Sequence, residues 1–386
     1  MAVTVRMKKN IILCAIILCC GLLLAPGQAA RAEDKEVSLE YEDIAARVER
    51  YNSTVRIGKI SLSEAQSALS QAQDANRERR KQRESVEAAI DETKELISGG
   101  TLDETQLKEA QSLLSTLGQL SDSLRSQNTG QLERTIEAVT LQNAQSLAQL
   151  INGAEQQFIR AHQLQLSIEQ QRSKLATAET ELNKARVKLD HGLGTAKALA
   201  EAKLQVSSAK VELTALEHQW QSMLTQLGNY TGYRQGEIIA LGEAPEVDEE
   251  VLAELDPLTD AEAAVGASYA LKLLKIERIN VNGSSAKRKI DIQIEQQEAT
   301  VRQNIMLKFD ILLEACAKLE LAEAELDLSA QQLKTAEAYF ELGKVSQSAL
   351  DKQKAAYAAK EAALQNAALT LLLELTDYQA KVGGLN

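Results

Sequence analysis

Aromatic side chains are scarce: three Phe, one Trp and eight Tyr make up 3% of 386 residues, in a chain that is 44% hydrophobic. A compact enzyme core normally takes more of its bulk from aromatics. This chain takes it from Ala and Leu, which suit close helix–helix contact. Proline is nearly missing. Pro26, Pro245 and Pro257 are the only ones, so nothing in 33–244 or 258–386 forbids very long helices. Cysteine is confined to Cys14, Cys19, Cys20 and Cys316. Once a leader is removed a single thiol is left, which excludes an internal disulfide. The spacing of Cys316 from Leu312 and Leu319 makes it a small hydrophobe on an apolar helical stripe. Positive charge is also short, with 43 Lys and Arg against 55 Asp and Glu and a net charge of -12. That balance excludes a nucleic-acid partner, because phosphate binding needs a basic face.

Catalytic chemistry is missing too. His162, His191 and His218 are scattered without metal-ligand spacing, and His162 and His218 read as helix-surface residues. There is no His-Glu-x-x-His, no Gly-x-Ser-x-Gly and no Walker loop. Asn282 to Lys287 has a faint phosphate-loop pattern but lacks the first Gly and a preceding strand, so it reads as a turn. No enzyme, metal site or cofactor is expected.

What is present begins with a leader. Arg6, Lys8 and Lys9 precede an apolar run from Ile11 to Leu24, and Ala30-Arg31-Ala32 supplies a small-x-small cleavage pattern. Residues 1–32 are expected to be a signal peptide, and the mature chain to be exported to the cell envelope. Cys20 is an alternative lipidation point, although Cys19 before it departs from the usual small residue.

Breakers gather in one stretch, at Gly228, Gly232, Gly236, Gly242, Pro245 and Pro257. Within it Tyr233 to Leu241 is the best strand candidate in the chain. The expected organisation is a first helical repeat over 33–227, a linker with a short strand over 228–260, and a second helical repeat over 261–386.

The two repeats match at an offset of 151. Ile168 falls on Leu319, Leu175 on Leu326, Leu182 on Leu333, Gly192 on Gly343, Thr195 on Ser346 and Leu199 on Leu350. Each repeat therefore reads as helix, Gly-x-x-Ser/Thr turn, helix. The glycine suits a left-handed helix end, and the hydroxyl suits the N-cap of the helix that follows. Leu199, Ala202, Val206, Ala209, Leu213, Leu216, Trp220, Met223 and Leu227 keep coiled-coil spacing. So do Leu312, Cys316, Leu319, Leu326, Ala330, Leu333 and Phe340, with Glu323 as a gap. A second stripe, Leu321, Ala324 and Leu328, implies neighbours on both sides of that helix, as in a bundle or a closed ring; an ordinary long coiled coil has the same spacing. Aligning Asn52 with Ser268 gives an offset of 216, and the excess places a polar, helix-prone insert at about 77–141, read as an extra hairpin. The fold class is all-α, built of long antiparallel coiled-coil hairpins in two repeats.

Ala336 to Ser346, followed by Leu350, resembles the "A..rY..G..s..dlL" segment of the TolC-type outer-membrane efflux family. Lys184 to Leu199 is similar to the same segment in the first repeat. Leu224 to Gly228 resembles the link between the family's repeats, and Val37 to Ala45 its opening "sLeeAi". This resemblance implies an α-barrel protomer, a homotrimer closing six hairpins into an efflux tunnel, and a periplasmic adaptor and inner-membrane pump as partners. It implies that the turns form the tip where the adaptor docks, here His191, Gly192, Leu193 and Thr195 in one repeat and Leu342, Gly343, Lys344 and Ser346 in the other. A glycine turn that only closes a hairpin would look the same. Three departures accompany it. No ten-residue alternating strand able to span an outer membrane is present, so a barrel-less variant is expected. Ala198 and Ala349 stand where the family has Asp, which removes a carboxylate gate. Asn52-Ser53 and Ser268-Tyr269 replace the usual "Asn-Pro". The location implied is the outer membrane or periplasm of a two-membrane cell, or the outer surface of a one-membrane cell. The second reading is a non-transporting structural coiled coil of the envelope.

Overall fold

The proline-free stretches become long helices. The computed structural model describes residues 37–100, 103–126, 128–233 and 239–386, all within the unit Glu36–Asn386. The expected signal peptide and residues 234–238 of the strand candidate lie outside the described residues. A short strand, β1 (Val37–Leu39), leads into α1 (Asp43–Tyr51), α2 (Ser53–Ser98), α3 (Glu104–Ser123), α4 (Gly130–Asp190) and α5 (Ala196–Thr231). Strand β2 (Ile239–Leu241) and α6 (Glu249–Ala253) follow. Then come α7 (Pro257–Ala267), α8 (Tyr269–Asn280), α9 (Ser284–Glu341) and α10 (Gln347–Val382). Helices α4 and α9 have 61 and 58 residues, about 90 Å each at 1.5 Å per residue. None of the described helices is long and apolar enough to cross a membrane.

The duplication is a duplication of structure. Helices α1, α2, α4 and α5 correspond to α7, α8, α9 and α10. Asn52 caps α2 by accepting from the Thr54 N–H at 3.0 Å, and its aligned partner Ser268 caps α8 by accepting from the Leu271 N–H at 3.4 Å. Both caps are buried, where an unsatisfied helix end would be most costly. Their departure from Asn-Pro leaves the helix starts intact, because a side-chain acceptor serves the first turn as well as a proline does.

Each repeat has its own core. Ile44, Val48, Val55, Ala154, Phe158, Ala161 and Leu227 form one. Ala264, Leu271, Ile305, Leu312, Leu371 and Tyr378 belong to the other. Ala154, Ala161 and Leu227 fall on Ile305, Leu312 and Tyr378 at the offset of 151, so a residue of different size fills the equivalent place in each half. The Tyr378 hydroxyl donates to Asp260 at 2.7 Å. Burial, then this carboxylate, pushes the phenol above its ordinary 10.0. The fold thus holds the neutral phenol, and that stability is complete below pH 10 and lost as pH rises beyond it, because the unfolded chain ionises first. Tyr378→Phe is expected to cost about 1–2 kcal/mol at neutral pH and to flatten the alkaline fall in melting temperature. Tyr41, also raised by burial, keeps part of that slope.

Within each hairpin the coiled-coil stripe of α5 is confirmed at every position: Ala202, Val206, Ala209 and Leu227 are buried and Leu199, Leu213, Leu216, Trp220 and Met223 partly so. The α9 stripe is buried or partly covered from Leu312 to Leu333 apart from its gap at Glu323, and only its end at Phe340 is corrected. Its buried line runs through Leu312, Ala315, Ala322 and Ser329, with Leu319, Leu326 and Leu333 partly covered, while Glu323 and Phe340 lie at the surface. Positions three and four residues on flank the same line of a helix. Here the small residue of each pair turns inward and lets α10 approach closely.

Two features depart from the expected plan. Helix α5 continues through Gly228 to Thr231 and ends at Gly232, whose φ is +77°. The strand β2 is three residues long and pairs in parallel with β1, Val37 opposite Ile239 and Leu39 opposite Leu241; no partner for it is legible in the sequence. The region of the insert is a helical excursion. Helix α2 has 46 residues where its counterpart α8 has 12. Helix α3 folds back against it, and α4 then takes over, with the Asn143 side chain donating to the Gly58 carbonyl at 2.8 Å. In the second repeat the same place holds only the turn at Gly283, φ +96°.

Candidate functional site

The two hairpin turns are built alike atom for atom. After α4, the Leu193 N–H donates to the Lys188 carbonyl at 2.8 Å and the Gly192 N–H to Leu189 at 2.9 Å. After α9, the Lys344 N–H donates to Tyr339 at 2.8 Å and the Gly343 N–H to Phe340 at 2.9 Å. These are the paired bonds of a Schellman ending. It needs a left-handed residue, supplied by Gly192 at φ +72° and Gly343 at φ +70°. The Thr195 hydroxyl then accepts from the Ala198 N–H at 3.1 Å, and the Ser346 hydroxyl from the Ala349 N–H at 3.3 Å. All eight of His191, Gly192, Leu193, Thr195, Leu342, Gly343, Lys344 and Ser346 are exposed. Leu193 and Leu342 are 81% and 67% exposed, so each turn presents a leucine to solvent. The Lys344 ammonium lies 5.7 Å from the Tyr339 ring centre.

Helix α4 packs along α5 and α10, and α10 along α9, so the two hairpins lie side by side and α5 and α9 are the outer helices. Polar pairs join the two halves: Tyr41 Oη meets Thr376 Oγ1 at 3.4 Å, and the Gln163 side chain donates to the Thr370 hydroxyl at 3.1 Å. Lys308 of α9 joins Glu374 and Asp377 of α10, and Asp377 also accepts from Gln156 of α4. Apolar residues remain on the outer edges. Leu204 and Val211 on α5 are each 70% exposed, and Leu321 and Leu328 on α9 are 60% and 55% exposed. The second stripe read from the sequence is therefore uncovered in the single chain.

The linker makes a second site that the sequence conceals. Residues 241–252 roof a cavity of about 810 Å³ between α4 on one side and α9 and α10 on the other. Its walls are apolar, with Leu166, Leu241, Val247, Leu319 and Leu369, and its rim carries Glu169, Glu243, Glu246, Glu249 and Glu323. His162 is corrected here from a surface residue to a half-buried one. Its ring packs on Phe158, with centroids 4.9 Å apart. Burial pushes its pKa below the ordinary 6.5, against a hydrogen bond to the Gly242 main chain. The lining comes from four distant segments, so no local motif marks it. Among the described residues no three His, Cys, Asp or Glu side chains gather as metal ligands.

No family model matches the chain, and no curated protein matches it in sequence. The fold is shared with a solved structure. The outer-membrane channel OprN is 12% identical, with 89% of this chain aligned to 90% of that one and a TM-score of 0.55. The outer membrane protein VceC from Vibrio cholerae is 11% identical over 90% of this chain and 97% of that one, with a TM-score of 0.48. The fold expected from the resemblance, two helical-hairpin repeats, is the fold observed, and the described residues carry no β-barrel strands.

Proposed function

We propose that this protein is a TolC-like tunnel component of the bacterial cell envelope that passes substrates together with an inner-membrane pump and a periplasmic adaptor. The observation that carries this reading is the pair of matching tip turns at the ends of two hairpins lying side by side. A single hairpin would need one turn that closes it. Two turns with the same hydrogen bonds, each aiming a leucine outward, supply equivalent docking points at one end. Closure into a homotrimer would bring six such points onto one ring, with the α5 edge of one copy meeting the α9 edge of the next. Such a head-to-tail contact closes when the rotation between copies completes a circle.

The tip residues are the proposed adaptor contact, with Leu193 and Leu342 as its apolar centre and His191 and Lys344 beside them. Gly192 and Gly343 set the turn, and Thr195 and Ser346 hold the next helix in place. Leu193→Asp with Leu342→Asp is expected to abolish export in the host, at unchanged protein level and helicity, because both side chains point into solvent. Unchanged export would overturn the reading. A second reading, an envelope spacer that transports nothing, is favoured by one observation: a helical excursion of α2, α3 and the start of α4 stands where a spanning strand pair would be. It predicts that this double variant has no phenotype.

A further inference from the structure

Asn282-Gly283 opens the stretch with a faint phosphate-loop pattern, and the tunnel reading gives it no role. It stands in the turn between α8 and α9, where the first repeat carries its helical excursion. Asn282, Gly283 and Ser284 are all exposed. Gly283 is the N-cap of α9, with φ +96° and ψ 140°, and a Cβ on it would meet nothing within 4 Å. Among the described residues neither the Asn282 carboxamide nor the Gly283 N–H has a hydrogen-bond partner. An unengaged carboxamide therefore sits one residue before an unengaged N–H, on a residue with no side chain to crowd the approach.

The local field favours attack by that nitrogen. The Gly283 N–H lies at the positive end of a helix of 58 residues, where the macrodipole favours negative charge. Lys287, Arg288 and Lys289, all exposed, follow within two turns, and the first turn of α9 holds no acidic residue. Negative charge that develops on the nitrogen, and then on the carboxamide oxygen, is stabilised there for the reason that anions settle at helix N-termini.

We infer that Asn282 is a site of spontaneous modification, at which the carboxamide is converted through a cyclic imide to aspartate and isoaspartate. The Gly283 nitrogen gives its proton to hydroxide and bonds to the side-chain carbonyl carbon of Asn282. The bond from that carbon to the carboxamide nitrogen breaks, and the nitrogen leaves as ammonia, taking a proton from water. A further water opens the five-membered ring at either carbonyl. One opening restores the ordinary main chain with an aspartate side chain. The other runs the main chain through the side-chain carbon and leaves isoaspartate. Water is the only co-reactant, and nothing is oxidised or reduced. Either product places a carboxylate ahead of α9, whose start has no acidic first turn and no side-chain cap, so the new charge is a favourable one for the helix end.

The chain carries its own control. Asn152-Gly153 is its only other Asn-Gly pair, and it lies inside α4. There the Asn152 side-chain oxygen accepts from the Gln156 side chain at 3.3 Å, and the Gly153 N–H is committed to the helix ladder. Ring closure at that pair has no available nucleophile.

The purified protein is aged in mildly alkaline buffer and followed by peptide mass mapping and by labelling with isoaspartyl methyltransferase. Aspartate and isoaspartate are expected together at position 282, with Asn152 intact. Gly283→Ala puts a Cβ beside the attacking nitrogen and is expected to slow the conversion at least about tenfold. Asn282→Gln, which would need a six-membered ring, is expected to lose the isoaspartate label at this position. Circular dichroism checks that the helices persist in both variants. Survival of Asn282 through ageing, equal conversion at Asn152, or aspartate without isoaspartate would overturn the proposal. The outcome is independent of the tip variants and of whether the chain transports anything.

Discussion

Gly232→Val is expected to destabilise the protein by about 3 kcal/mol, as the sum of left-handed backbone strain and overpacking. Gly232 ends α5 at φ +77°, and a Cβ there would stand 2.2 Å from the Tyr51 Cβ and 3.2 Å from Tyr51 main-chain atoms. The neighbour is the C-terminal residue of α1, so neither side can give way without moving a helix. Gly384 repeats the arrangement in the second half. Its φ is +108°, and a Cβ would fall 2.6 Å from the carbonyl oxygen of Ala267, the last residue of α7. The tip glycines make the control. Gly192 and Gly343 have positive φ, but a Cβ on either would find nothing within 4 Å. Alanine there should cost only the strain, about 1–2 kcal/mol. A urea titration followed by circular dichroism separates the two classes. Equal losses at Gly232 and at Gly343 would show that the helix-end contact is slack.

Leu321→Lys with Leu328→Lys is expected to convert an oligomer into single chains while leaving the helical signal intact. Both leucines lie on the outer edge of α9 and are more than half exposed, so the hairpin loses little internal contact. Covering the pair would contribute about 2 kcal/mol per leucine, or roughly a thousandfold in the association constant of one interface. Light scattering of wild type and variant side by side checks it. A wild-type mass of one chain at all concentrations would remove the basis of the ring. Leu204→Lys with Val211→Lys, on the opposite edge, is expected to act in the same direction, since a head-to-tail contact uses both edges.

Much of this was legible because α-helical coiled coils write their contacts along the chain. The stripe from Leu199 to Leu227 is continuous, so each residue predicts the next. The tip turns were legible because a left-handed helix ending all but requires glycine, and the same glycine and hydroxyl recur 151 residues apart. The end of the α9 seam was misread because Phe340 fits the spacing, and its most buried places, Ala322 and Ser329, went unmarked because small residues carry no hydrophobic signal. Parallel pairing of β1 with β2 was hidden because three residues are too few to show alternation and the partners are far apart. The linker cavity was hidden for a related reason. His162, Glu243, Glu323 and Leu369 share no periodicity, and only the fold assembles them. The role of Gly384 lies in its contact with Ala267, which a sequence does not display.

The pairing of Val37 with Ile239 has a consequence for the order of events in synthesis. The first strand leaves the ribosome early yet has no mate until the joint between the halves has been made. Helix α4 meets α5 across a turn of a few residues, so that hairpin can zip locally while the front of the chain waits. Closing the two-stranded clasp is then a late, long-range step that slows folding more than it adds to stability. Shortening or deleting the front segment would accordingly be felt as a loosened midsection and not as a failure of the hairpins to form.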